Sequence, residues 1–160
     1  MLFVKLICVG KMKEKHFCDA FDEYSKRLGA FCRFEVEEIA EQRLPDSPSA
    51  AEIAAALRRE AEAIRKKLPS GAAVTAMCVE GREMSSPQLA AYIAKTASGG
   101  ISRLCFLVGG SFGLDEELKR EASLRLSMSA MTFPHHLARV MLAEQLYRAF
   151  TINAGTRYHK

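Results

Sequence analysis

Residues 108–114 carry the clearest signal of chemistry in this 160-residue chain. The letters VGGSFGL place Gly109, Gly110 and Gly113 directly after a continuous apolar run. Glycines at such a point let the backbone approach a ligand closely and present N–H groups to it. Ligands of open parallel sheets bind beyond the carboxyl ends of the strands. The spacing is neither a dinucleotide fingerprint nor a P-loop, so the pattern fits either a ligand loop or a plain tight turn.

A second candidate segment spans residues 128–136, between the weakly marked last strand and the last helix. It mixes small and apolar residues, with the letters MSAMTFPHH. Such a segment could wrap an apolar or aromatic ligand, such as adenine, while offering backbone polar groups. The alternative interpretation is simple packing.

Cations and one aromatic ring gather toward the C-terminus. Arg139 and Arg148 lie nine positions apart, about two and a half turns of a helix, and could grip phosphates. Ion pairs at a surface or an interface are the alternative. Residues 157–160, with the letters RYHK, combine cations, a stacking ring and an imidazole, which fits contact with a nucleic acid. A free terminus would otherwise be a fraying tail.

The sequence gives little support for a metal site or for a catalytic nucleophile. His135 and His136 are adjacent, so on a helix they point about 100° apart and cannot chelate one metal together. The five cysteines contain no C-x-x-C pair, which predicts reduced, mostly buried thiols and neither a disulfide frame nor a zinc site. Ser111 matches the G-x-S-x-G pattern only loosely. We therefore predict no metal.

Length and composition predict one globular domain, residues 1–160. Hydrophobic residues make up 49% and charged residues 26%, which argues against disorder. The longest apolar runs are too short for a membrane span, and the apolar start lacks a basic leader, so we predict no membrane partner and a cytoplasmic location. The net charge of +4 weakly favours a polyanionic partner, and the basic excess lies at the two chain ends.

Hydrophobic patterns predict an alternation of strands and helices that must position these residues. Because the strongest strands are continuous apolar runs, we expect an α/β fold with a mostly parallel sheet flanked by helices. A turn is predicted at Glu80-Gly81. The last helix is apolar around most of its circumference, which predicts a homodimer that covers its second face. The strands are predicted at 2–9, 31–39, 73–79, 103–108 and 124–128, and the helices at 13–28, 50–68, 87–97, after 115, and at 135–150.

Taken together, LVGGSFGL at 107–114, LSMSAMTFPH at 126–135, Arg139-Val140, EQLYRAF at 144–150 and the terminal YHK resemble the RlmH family. This family comprises bacterial SPOUT-class methyltransferases that act on large-subunit ribosomal RNA. The similarity covers the whole chain and is densest over residues 104–160.

The resemblance implies a C-terminal deep trefoil knot, with a cofactor-binding part at about residues 73–160. It implies S-adenosylmethionine as the cofactor and a homodimer that acts on assembled ribosomes. The product would be N3-methylated pseudouridine in the helix 69 loop of 23S rRNA. The implied cofactor-binding residues are Met77, Gly109, Gly110, Gly113, Met128, Ser129, Ala130, Met131, Thr132 and Phe133.

The resemblance also suggests roles on the RNA side. Arg139 and Arg148 would hold phosphate or the developing base anion, and Tyr158 would stack on or hydrogen-bond the target base. His159 is the better candidate for the proton acceptor, because imidazole titrates near neutral pH. The tail could complete the site of the other subunit. The expected catalytic residues are thus His159, Tyr158 and Arg139, and the expected RNA-binding residues are His135, Arg148, Arg157 and Lys160.

Two other classes of function stay open at this point. One is a non-catalytic ribosome-binding or assembly factor that keeps the same fold. The other is a small-molecule enzyme that uses a nucleotide cofactor on a Rossmann-like sheet. The latter would show no salt-sensitive affinity for ribosomes.

Overall fold

Strands and helices alternate along the whole chain in the computed structural model, which describes residues 1–160. The pattern is the one that the hydrophobic periodicity predicts, with boundaries that differ by a few residues. In chain order the elements are β1 (Phe3–Val9), α1 (Lys15–Leu28), β2 (Arg33–Ile39), α2 (Ala50–Arg65), β3 (Ala73–Glu83), α3 (Ser86–Ser98), β4 (Arg103–Val108), α4 (Glu116–Glu121), β5 (Leu124–Ser127) and α5 (His135–Asn153).

The five strands form one sheet in the order β2-β1-β4-β3-β5. Every neighbouring pair is parallel, which confirms the predicted α/β class. The continuous apolar strands β1 and β4 lie inside the sheet, where both faces are covered. Because all the strands point the same way, their carboxyl ends meet at one edge of the sheet.

Helices cover both faces of the sheet. On β4, Leu104 and Phe106 pack among α1, α3 and α5, whereas Leu107 packs with Ile64 of α2 and Leu118 of α4. Each fully buried side chain of this size contributes about 1.5–3 kcal/mol. No helix combines the length and the hydropathy that crossing a bilayer would require.

The start of α2 follows a capping signal in the sequence, in which Ser49 is followed three residues later by Glu52. The Glu52 N–H donates to Ser49 Oγ at 3.1 Å, and the Ser49 N–H donates back to the Glu52 carboxylate at 3.1 Å. This capping box satisfies two backbone donors that the helix itself leaves free. Local sequence therefore determines where α2 begins.

The predicted turn at Glu80-Gly81 is wrong. Strand β3 continues to Glu83, and its pairing with β5 shifts register between Met77 and Arg82. A Cβ atom on Gly81 would lie 2.8 Å from the backbone N of Leu126. Glycine is therefore needed here for the close approach of two strands at a bulge, which a sequence pattern does not distinguish from a turn.

Helix α5 runs three residues beyond its predicted end. Leu142 and Leu146 are buried, while Val140, Met141 and Tyr147 are only partly buried on the flank of the helix. Val140 and Met141 line a surface cavity of about 480 Å³. The dimer and the trefoil knot stay predictions.

Candidate active site

A cavity of about 700 Å³ lies at the carboxyl edge of the sheet, bounded by β3, β4, β5 and the start of α5. Its volume is within the range typical of small-molecule sites. Of the residues that the sequence suggested for a cofactor, only Ala130 is not in its lining. The lining includes Met77, Gly109, Gly110, Gly113, Met128, Ser129, Met131, Thr132 and Phe133.

The glycine loop after β4 forms one wall of this cavity. It closes on itself through the Gly113 N–H, which donates to the Gly110 carbonyl at 3.1 Å. A Cβ atom on Gly109 would lie 2.3 Å from the Gly113 carbonyl oxygen, and Gly113 itself has φ +81°. Both positions therefore require glycine, the first for close approach and the second for its backbone conformation. The loop is a tight turn that also lines a cavity.

The segment after β5 forms the opposite wall. Ser127 Oγ donates to the Ser129 carbonyl at 2.9 Å, and the Met131 N–H donates to Ser129 Oγ at 3.1 Å. These bonds turn the chain so that Met131 is 72% exposed, and Phe112 of the glycine loop is 48% exposed. Both apolar side chains border the cavity, where they are available to a ligand.

His135 lines the cavity, whereas His136 does not. Burial, followed by the neighbouring His136, lowers the pKa of His135, so its imidazole is neutral at pH 7. His136 Nδ1 lies 2.8 Å from a carboxylate oxygen of Glu14. His136, for which the sequence suggested no role, therefore ties the start of α5 to the start of α1.

Arg139 is turned into the protein. Its side chain is only 2% exposed, and its guanidinium donates to Glu38 at 2.7 Å and to the Gly10 carbonyl at 2.9 Å. These contacts tie α5 to the carboxyl ends of β1 and β2. The guanidinium is therefore not available to a phosphate, which corrects the expectation that Arg139 contacts RNA.

Three of the other expected RNA-side residues, Arg148, Tyr158 and His159, lie together with Glu144 near the C-terminus. We call these four residues the C-terminal cluster. Arg148 Nε donates to Glu144 Oε1 at 3.0 Å, and the guanidinium carbon lies 4.8 Å from the centre of the Tyr158 ring. The Tyr158 hydroxyl donates to Glu144 at 3.1 Å, and Arg148 Nη1 lies 3.3 Å from His159 Nδ1. Glu144, for which the sequence suggested only an ion pair, accepts hydrogen bonds from both Arg148 and Tyr158.

Electrostatics in the C-terminal cluster keep Tyr158 protonated. Partial burial, followed by the hydrogen bond to Glu144, raises the pKa of the Tyr158 phenol to about 12. The same carboxylate raises the pKa of Arg148. At neutral pH the cluster thus offers a phenol O–H donor beside a guanidinium and an imidazole. It has the groups needed to bind and polarise a nucleobase.

The C-terminal cluster and the 700 Å³ cavity are separate within one chain. No residue of the cluster lines that cavity, and Glu144 lines the 480 Å³ cavity on the flank of α5 instead. Arg157 and Lys160 are exposed and form no side-chain hydrogen bond or ion pair. The structure therefore brings His135 to the wall of the 700 Å³ cavity but leaves Arg148, Tyr158 and His159 apart from it.

Two charged groups beside the cavity have no signal in the sequence. A carboxylate oxygen of Glu41 accepts a hydrogen bond from the Ser111 N–H at 3.4 Å. Lys119 is nearly buried and pairs with both Glu80 and Glu116. The contacts of Glu41 with Ser111 and of Lys119 with Glu80 join segments that are distant in the chain, whereas Glu116 and Lys119 lie one turn apart on α4. The structure contains no group of three or more His, Cys, Asp or Glu side chains arranged to hold a metal.

Comparisons with known proteins agree with this architecture. The family model described as "Predicted SPOUT methyltransferase" matches residues 2–159. The chain is 48% identical to "Ribosomal RNA large subunit methyltransferase H" of Bifidobacterium animalis subsp. lactis over 98% of this chain and 99% of that protein. It is 42% identical to the protein of the same name from Streptococcus equi subsp. zooepidemicus, with the same coverage.

Solved structures share the fold at low sequence identity. A probable methylase family protein from Haemophilus influenzae superposes with a TM-score of 0.54 at 13% identity, over 98% of this chain and 70% of that one. A putative methylase family protein from Neisseria gonorrhoeae gives 0.52 at 11% identity, over 90% and 81%. With the family model spanning nearly every residue, the chain belongs to the SPOUT methyltransferase family.

Proposed function

We propose that this protein is an S-adenosylmethionine-dependent methyltransferase that modifies N3 of a pseudouridine in the helix 69 loop of 23S rRNA. It would act on assembled ribosomes in the cytoplasm, as one domain whose residues 73–160 form the knotted cofactor-binding part. The 700 Å³ cavity carries the proposal, because nine of the ten residues expected around the cofactor line it. The names of the relatives, which match over nearly their full length, support the same substrate class.

The cavity lining suits an adenosyl-sulfonium ligand. Met77, Met128 and Phe133 provide apolar surface, and the glycine loop leaves no room for a side chain at Gly109. The backbone of the two loops would therefore approach the ligand directly and supply polar groups. S-adenosylmethionine supplies an electrophilic methyl group on its sulfonium.

The residues of the chain then have two tasks, orienting the base and receiving its proton. Tyr158, kept as a phenol, donates a hydrogen bond or stacks on the pseudouridine. Arg148 stabilises the anion that develops on the base as N3 loses its proton. His159 Nδ1 faces a guanidinium N–H and is therefore the basic nitrogen of this imidazole. It accepts the N3 proton once the base displaces that contact.

The separation of the C-terminal cluster from the cavity supports a site shared between two subunits. In the proposed homodimer, the tail of one chain reaches the cavity of the other. Val140, Met141 and Tyr147, the partly buried apolar side chains of α5, are the surface on which the subunits would meet.

Complementation tests this arrangement. A variant with a blocked cavity, Gly109→Ala, and a variant with an inactive tail, His159→Ala, are co-expressed. If the tail acts in trans, mixed dimers regain one intact site, and activity recovers to about a quarter of the wild-type value for random mixing. If the tail acts within its own chain, mixed dimers contain no intact site and activity stays absent.

Methyl transfer from labelled S-adenosylmethionine to ribosomes that lack the modification tests the function itself. We would compare 70S ribosomes, isolated large subunits and naked rRNA, and locate the label by mass spectrometry. Label on N3 of a helix 69 pseudouridine is the expected result. Cofactor binding without transfer to any of the three substrates would instead favour a non-catalytic ribosome-binding factor.

A further inference from the structure

A second cavity, of about 450 Å³, adjoins the proposed cofactor cavity and shares Glu80 and Lys119 with it. It lies between the bulge of β3, the end of α4 and the edge strand β5. Only Ala122 and Leu124 contribute apolar side chains to its lining. The cavity is therefore a polar groove next to the site where a methyl group would be transferred.

Cations dominate this groove. Four basic side chains line it against one carboxylate, that of Glu80. Lys119 already pairs with Glu80 and Glu116. Arg82, Arg120 and Arg125, which we call the arginine groove, are exposed, and none of them forms an ion pair or donates a side-chain hydrogen bond.

Unlike Arg27, Arg65 and Arg148, each of which pairs with a carboxylate, these three guanidinium groups have no ion-pair partner. The one carboxylate of the groove, Glu80, is already paired with Lys119. Like charges that line one groove with so little counter-charge repel one another, and an anion relieves that repulsion. The imbalance in the arginine groove therefore indicates an anionic partner.

Tertiary structure creates this concentration of charge. Arg82 of β3 pairs with Leu126 of β5 after the bulge. Arg82 therefore lies next to Arg125, the residue that directly precedes Leu126. Arg120 arrives from the last turn of α4. In the sequence this region looks neutral, because acidic residues balance the basic ones over residues 71–133. Of those acidic residues only Glu80 lines the groove, where it pairs with Lys119; Glu121, for example, pairs with Arg65.

We propose that the arginine groove binds phosphate groups of the RNA substrate beside the methyl-transfer site. This inference rests on the proposed function and adds a surface to it. A guanidinium offers paired N–H donors that match phosphate oxygens. Phosphate contacts set the register and orientation of a nucleic acid without reading its sequence. A backbone held in the groove would thus orient the nucleotides that enter the adjacent cavity.

The test compares two triple variants with the wild type. Arg82→Gln/Arg120→Gln/Arg125→Gln removes the groove. Arg58→Gln/Arg59→Gln/Lys66→Gln is the matched control, since it removes three exposed and unpaired cations at α2 and its C-cap. Dissociation constants for unmodified 70S ribosomes, with S-adenosylhomocysteine present, are measured between 50 and 200 mM salt. Calorimetry measures the affinity of each variant for S-adenosylmethionine, and thermal melting confirms folding.

The groove variant should bind ribosomes at least tenfold more weakly at low salt, with an affinity for S-adenosylmethionine within twofold of the wild type. Each lost phosphate contact should lower the slope of log affinity against log salt by about 0.7–0.9, so three contacts lower it by about 2–3. The slope of the control variant should differ from the wild-type slope by no more than about 0.7–0.9, which is the effect of one phosphate contact.

Two results would overturn the phosphate-binding role of the groove and leave the proposed function intact. In the first, the wild-type protein binds ribosomes and the groove variant binds them equally well. The other is weaker binding to ribosomes but unchanged binding to protein-free 23S rRNA, which would assign the groove to an acidic ribosomal protein. If the wild type binds neither ribosomes nor rRNA, the proposed function itself fails, and the groove proposal fails with it.

Discussion

Replacing Arg139 by Gln removes the contacts that tie α5 to the sheet. The substitution removes the hydrogen bond from the charged Arg139 guanidinium to the Gly10 carbonyl. A hydrogen bond from a charged group contributes about 1.5–3 kcal/mol to stability. Its ion pair with Glu38 contributes less, about 1 kcal/mol or below, because the Glu38 side chain is 38% exposed. We therefore expect unfolding free energy to fall by about 2–4 kcal/mol, or Tm by about 4–16 °C for a chain of this size.

The assay is calorimetric or urea unfolding of Arg139→Gln, Glu38→Gln and the double variant, at several pH values. Burial acts to raise the pKa of Glu38, but hydrogen bonds from the Met12 N–H and from Arg139 outweigh it, and the pKa is lowered. The pair therefore stabilises the protein fully above the unfolded-state pKa of about 4.3. That contribution disappears as pH falls through the lower folded-state value, and Glu38→Gln should lack this part of the acid sensitivity.

Arg148→Gln is the matched comparison for a surface role. Arg148 belongs to the C-terminal cluster, so this substitution should change stability little, by about 1 kcal/mol or less, and reduce methyl transfer strongly. Our reasoning about Arg139 would be refuted if Arg139→Gln left the unfolding free energy within about 0.5 kcal/mol and abolished methyl transfer. That outcome would return Arg139 to direct contact with the substrate.

Three further predictions concern the cofactor wall and the tail. Gly109→Ala should abolish binding of S-adenosylmethionine in calorimetry, because its Cβ would lie 2.3 Å from the Gly113 carbonyl oxygen; Gly99→Ala, at φ −76° and with its nearest Cβ contacts at an ordinary 3.4 Å, should not. Glu144→Gln should lower the pKa of Tyr158 from about 12 in NMR titration of labelled tyrosine, and an unchanged value would exclude the carboxylate as a cause. His159→Ala should slow turnover without weakening cofactor binding, and unchanged turnover would exclude His159 as the proton acceptor.

Much of the fold was predictable because its signals are local. Apolar runs in β1 and β4 indicated buried parallel strands, and Ser49 with Glu52 indicated the start of α2. The lining of the 700 Å³ cavity was predictable for a related reason. Gly109 and Gly113 follow a buried strand directly, and a parallel sheet brings such loops to one edge. Of the residues expected around a cofactor, only Ala130 lies outside the lining.

The roles of charged residues could not be predicted in the same way. Glu38 and Arg139 are 101 positions apart. Helical spacing alone shows neither which way the Arg139 side chain points nor that it contacts a carboxylate. The bulge in β3 likewise depends on how closely Gly81 approaches another strand. Each of these features depends on an interaction between groups that are distant in the chain. Such interactions form only once the chain has folded.

Amino-acid pattern alone therefore establishes the α/β class, most element positions and the glycine loop that lines the cavity, because backbone propensity and burial act over a few residues. Tertiary structure decides that Arg139 is a buried tie, that Glu144 organises the C-terminal cluster, and that this cluster lies away from its own cavity. It also gathers Arg82, Arg120 and Arg125 into one groove. Electrostatic interactions depend on distance in space, and the order of residues along the chain does not encode that distance.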